Sequence, residues 1–169
     1  MSNSDSTNVL LGGLLLGAGS YKLWRDRQDA RARLSRAERD DPDWAGEVID
    51  EVWRLLETLE ITGEIDSERE FHEILLEYFD THSEYEVESE PNTGFGRPDI
   101  LIGGVVALEL KVKPNRNERN RLVGQVLDYS RQWFTIIVLW DTPQSKQQEL
   151  QNLLADKGFG DLPIFAFRT

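Results

Sequence analysis

The sequence predicts an α/β domain in which a mixed central sheet is flanked by helices. Three observations predict it. From residue 67 onward, helical and strand periodicities alternate in the order α-β-β-β-α-β-α-β. The run "WFTIIVLW", residues 133 to 140, is unbroken and apolar, as a strand covered on both faces requires. Gly103 and Gly104 separate two apolar, β-branched stretches, "DILI" and "VVALELKVK", where a hairpin needs a tight turn. A chain of 169 residues can bury the core of one such domain and still carry additional segments.

Taken in order, residues 1 to 8 are polar and predict a disordered tip. Residues 6 to 21 carry no charge, slightly short of the roughly 20 residues a spanning helix needs. Tyr21 and Trp24 follow where an aromatic belt would lie, then Lys22, Arg25, Arg27, Arg31 and Arg33. Residues 9 to 24 are therefore expected to anchor the chain to a membrane, with the basic flank cytoplasmic. An apolar helix docked on a partner or on this domain is the plainer reading. No basic stretch precedes the apolar run, which argues against a secretory signal. Gly13 and Gly17 would let two such helices approach, so a homodimer is permitted.

Residues 25 to 66 read as a charged linker and an amphipathic helix. That helix opens at Pro42, with Val48, Val52, Leu55, Leu56 and Leu59 at helical spacing. The domain proper is assigned to residues 67 to 169. Ser67 caps its first helix, whose Phe71, Ile74, Leu75 and Tyr78 fall on one face. "YEVES" alternates as an exposed strand does. The hairpin and a helix over "NERNRLVGQVLDYSRQ" come next, then the apolar strand. "SKQQELQNLLADKGFG" is a helix stopped by glycine, and "LPIFAFR" is a final strand.

Composition restricts the chemistry. The chain has no cysteine and two histidines, which removes disulfides and leaves a poor inventory for zinc. The formal net charge is −12, but it is unevenly spread. Residues 40 to 90 hold 19 acids against two bases, whereas residues 95 to 131 hold seven bases against four acids. A polyanionic partner is thus compatible with the second segment. The acidic excess elsewhere suits a halophile, in which high salt screens self-repulsion.

Within the hairpin, Glu109 and Lys111 project from one face of a strand and Leu108, Leu110 and Val112 from the other. Asp99 lies across the turn, so its carboxylate converges on that of Glu109. Two hard oxygen donors suit Mg²⁺ or Mn²⁺. A lysine beside them can orient water or stabilise charge on a phosphate. The plain reading is a surface ion pair on an edge strand, where charges block aggregation.

"RPDI" followed by "ELK", that is Pro98-Asp99 and Glu109-Leu110-Lys111, resembles the signature of the PD-(D/E)xK nuclease superfamily. Gln125 and Tyr129 in "GQVLDYS" are similar to the QxxxY motif of its RecB-like branch. The resemblance covers residues 67 to 169. It implies a restriction-endonuclease-like core and a metal-dependent nuclease acting on DNA. It further implies that Asp99 and Glu109 hold the metal, while Gln125 and Tyr129 support the site. In a nuclease the Leu110 carbonyl is an expected further ligand. The superfamily often adds an acid from the first core helix, for which Glu68 and Glu70 compete. Ser67 and Glu70 also have the spacing of a capping box. Arg97, Lys113, Arg116, Arg119 and Arg121 are expected to follow a phosphate backbone. His72 is expected to be solvated, and a catalytically silent tether on the same fold is the competing function.

Overall fold

The computed structural model describes residues 35 to 167, so the predicted anchor over residues 9 to 24 and its basic flank lie outside the described residues. Among those described, no helix is long and apolar enough to cross a membrane. The elements are helices α1 (Arg36–Asp40), α2 (Pro42–Thr58) and α3 (Glu68–His82), strands β1 (Val87–Ser89), β2 (Ile100–Ile102) and β3 (Val106–Val112), then helix α4 (Arg116–Tyr129), strand β4 (Phe134–Trp140), helix α5 (Gln144–Asp156) and strand β5 (Ile164–Phe167).

The strands form one five-stranded mixed sheet in the order β1-β2-β3-β4-β5. Pairing is antiparallel from β1 to β3 and parallel from β3 to β5. Chain connectivity explains the change. The Gly103-Gly104 turn reverses direction between β2 and β3, and both residues have positive φ, as a two-residue turn of this twist demands. Val105 N–H donates to the Ile102 carbonyl at 3.0 Å and closes it. The two parallel pairs are joined instead by whole helices, α4 and α5.

Two apolar layers sandwich the sheet. On one face, α2 and α3 contribute Val48, Ile49, Val52, Leu56, Phe71, Leu75 and Phe79 to a cluster with Leu108, Leu110, Ile136 and Val138. On the other, Leu122 and Val126 of α4 and Leu150 and Leu154 of α5 cover Ile137 and Leu139. The odd–even alternation along β4 therefore feeds two cores, which is why its sequence shows no polar face.

Sequence reading set α2 apart from the domain, yet it lies within the domain's main core. Val48, Val52 and Leu56 are fully buried there. A Cβ at Gly103 would lie 3.0 Å from Val48 Cγ1, so α2 also seats the hairpin turn. The apolar spacing identifies the helix, but spacing alone does not say what it packs against.

Candidate active site

Strand β3 carries the site, and it is the central strand of the sheet. That position overturns the reading of Glu109 and Lys111 as a surface pair on an edge strand. Glu109 is 1 % exposed and Lys111 5 %. Charges buried to this degree cost several kcal/mol unless neighbours compensate, so their surroundings decide what they do.

Asp99 precedes β2 at the mouth of the hairpin. Its Oδ2 accepts a hydrogen bond from the Leu110 N–H at 2.7 Å, which fixes the carboxylate beside β3. Its own carbonyl is held twice, by Glu90 N–H at 2.9 Å and by a His72 Nε2 contact at 3.0 Å. His72 is thus half-buried against the motif, where sequence reading had it solvated. The Lys111 ammonium donates to Glu68 Oε1 at 3.0 Å and to the Leu110 carbonyl at 2.6 Å, and lies 3.2 Å from Glu109 Oε1. The second Glu109 oxygen, Oε2, is buried and receives no hydrogen bond.

The two helix acids separate cleanly. Glu68, the first residue of α3, reaches Lys111. Glu70 turns back to accept from the Asp66 N–H at 3.1 Å, while its own N–H donates to the Ser67 hydroxyl. Glu70 therefore supports the helix start, and Glu68 is the acid that joins the cluster.

Electrostatics follow from burial. Desolvation, reinforced by the Asp99 charge, pushes the Glu109 carboxyl up to about 7, with Lys111 pulling the other way. Asp99 is raised chiefly by burial as well, against Lys111 and the Leu110 N–H. Burial opposes the Lys111 ammonium, but Glu109, Asp99 and Glu68 together outweigh it and raise its pKa. The result is a cation enclosed by acids that compete for it.

Gln125 and Tyr129 sit one turn apart on α4. Tyr129 donates to the Arg97 carbonyl at 3.0 Å, so it grips the segment leading into Pro98-Asp99. Burial raises its hydroxyl pKa and the Glu109 charge adds to this, while a hydrogen bond with the Gln125 side chain opposes it. The Gln125 Oε1 atom is buried without a donor. Gly96 packs so closely on the Tyr129 ring that a Cβ would overlap it, and its φ of +121° is open to glycine. Sequence reading passed over Gly96; a glycine three residues before a motif aspartate was the available signal.

The chain matches no protein-family model, no curated protein and no solved structure.

The predicted phosphate contacts divide. Arg119 is a correction: its guanidinium is buried, donating to the Pro114 carbonyl at 2.6 Å and to Glu149 Oε2 at 2.7 Å. It ties α4 to α5 and cannot reach a ligand without breaking that tie. Arg97 is exposed and paired with Glu90 at 2.8 Å, and Lys113 with Asp141 at 2.9 Å. Such exposed pairs are weak, so both side chains can exchange partners. Arg116 and Arg121 are exposed on α4, Arg121 one turn before Gln125.

Among the described residues, no three of His, Asp and Glu gather as a self-sufficient metal cage. Mg²⁺ does not need one, because it keeps several waters and takes one or two carboxylates. The donor set of Asp99, Glu109 and the Leu110 carbonyl fits that requirement, and the orphaned Glu109 Oε2 is an acceptor awaiting a positive partner.

Proposed function

We propose that this chain is a Mg²⁺- or Mn²⁺-dependent nuclease of the PD-(D/E)xK type, hydrolysing phosphodiester bonds in DNA. The observation that carries the reading is the burial of Glu109 and Lys111 on the central strand, with Asp99 and Glu68 drawn to the same point. A structural ion pair would need one acid for one base. Here two carboxylates, Glu68 and Glu109, hold one ammonium, and a third, Asp99, is pinned beside them, an excess of acid that protons or further cations would balance. The αβββαβαβ order, the β2-β3 hairpin bearing Asp99 and ExK, and the QxxxY helix behind them support a restriction-endonuclease-like core.

Asp99, Glu109 and the Leu110 carbonyl would hold the ion, which would supply Lewis-acid stabilisation of charge on the phosphate. Asp99, pinned by the Leu110 N–H, and Glu109, fixed on a central strand, hold their oxygens without reorganisation. Lys111 orients the attacking water and offsets negative charge in the transition state. Glu68 keeps the lysine tail in place. Arg97, Lys113, Arg116 and Arg121 steer the backbone, with affinity falling as salt rises.

In this reading residues 9 to 24 tether the nuclease to the cytoplasmic face of a membrane, and Gly13 and Gly17 allow pairing of two chains. Incubating the full chain with supercoiled, linear and single-stranded DNA and with RNA, in Mg²⁺, Mn²⁺ or EDTA, tests the activity. Metal-dependent cleavage of DNA supports it. Retention of DNA without cleavage under all conditions would favour a silent tether instead.

A further inference from the structure

Lys111 occupies an odd place for a residue that is to meet a phosphate. Its ammonium lies deep in the fold, against three oxygens: Glu68 Oε1 at 3.0 Å, Glu109 Oε1 at 3.2 Å and the Leu110 carbonyl at 2.6 Å. Two of these, on Glu109 and Leu110, belong to the residues that would ligate the divalent ion. Oxygen donors at such distances satisfy an ammonium well, and they are also what a hard divalent cation requires. A lysine and a metal ion cannot share them at this spacing, because like charges a few ångströms apart repel strongly in a buried setting.

We infer that Lys111 is a built-in competitor for the divalent cation, seated on its ligands and released from Glu109 and the Leu110 carbonyl, while keeping Glu68, when the ion binds. The inference rests on the metal-site reading above and adds a function for Glu68. Glu68 is half-exposed, at 50 % for its side chain, whereas Glu109 is buried. The Lys111–Glu68 bond therefore leads from the buried ligands towards solvent. A flexible four-carbon stem lets the ammonium move along that direction while its base stays on β3. The exchange links two events. The exchange would leave the lysine on Glu68, the half-exposed side of the cluster, so the arrangement forms only when both cations are present.

The test is Mg²⁺ binding by calorimetry at pH 8.5 on the full chain, comparing wild type, Lys111→Met and Glu109→Gln. Removing the competing charge should tighten binding in Lys111→Met by about tenfold or more, even as cleavage is lost. Equal or weaker binding by a folded Lys111→Met would overturn the inference while leaving the metal site standing. Binding by none of the proteins would overturn the inference and the metal-site reading together. A measurement on wild type covers the case of a variant that does not fold. With lysine labelled at Nζ, the Lys111 resonance should shift on Mg²⁺ titration and not in Glu109→Gln. A resonance that stays put while Mg²⁺ binds would overturn the displacement.

Discussion

Burial makes Glu109 a residue whose protonation bears on stability. Its folded pKa, about 7, lies above the ordinary carboxylate value of 4.5. A carboxyl raised by folding contributes stability that is fully present below the unfolded pKa and lost as pH rises through the folded one. In the absence of divalent ions, melting experiments should therefore show stability falling between about pH 4.5 and 7, by roughly 2–3 kcal/mol. Glu109→Gln should flatten that slope, and an unchanged slope would place the burden on another group. Under the proposed function Mg²⁺ would select the ionised form, so its stabilising effect should grow over the same interval. Arg119 gives a second residue-scale prediction. Because its guanidinium is a buried tie between α4 and α5, Arg119→Ala should cost about 1–3 kcal/mol in chemical denaturation, and a folded Arg119→Ala should bind DNA with nearly normal salt dependence. A large drop in salt dependence with intact stability would return Arg119 to the phosphate-binding set.

At the scale of elements, the sequence is most readable where local chemistry and tertiary packing agree. The Gly103-Gly104 turn, the apolar β4 and the helix and strand after it each follow from a periodicity or turn signal confined to a few residues. Asp99, Glu109 and Lys111 are legible for the same reason, since a hairpin determines who stands beside whom. Contacts between distant elements are another matter. Nothing local distinguishes Glu68 from Glu70; only the docking of α3 against β3 turns one towards Lys111 and leaves the other to hold the helix start. The role of α2 was hidden likewise, because an amphipathic stripe does not name its partner. Leu56→Ala, emptying a fully buried position on that stripe, should cost about 2–5 kcal/mol and lower the unfolding midpoint in urea. A cost under 1 kcal/mol would mean that α2 is dispensable to the core.

For the whole molecule, net charge misleads where charge placement informs. The −12 total would repel a polyanion, but the acids are concentrated before residue 91, and Arg97, Lys113, Arg116 and Arg121 are exposed after it. Inside, the order reverses again, with Glu68 and Glu109 on one ammonium and Asp99 held beside them by the Leu110 N–H. In the proposed function a polyanion meeting this acidic centre needs a cation between them, the part proposed for Mg²⁺. The most direct test is the initial rate of plasmid cleavage by the full-length protein in Mg²⁺, measured beside Glu109→Gln and Lys111→Ala. The account predicts cleavage by wild type that EDTA abolishes, with both substitutions slowing it by on the order of 10³-fold or more. Cleavage by either variant at the wild-type rate would contradict it.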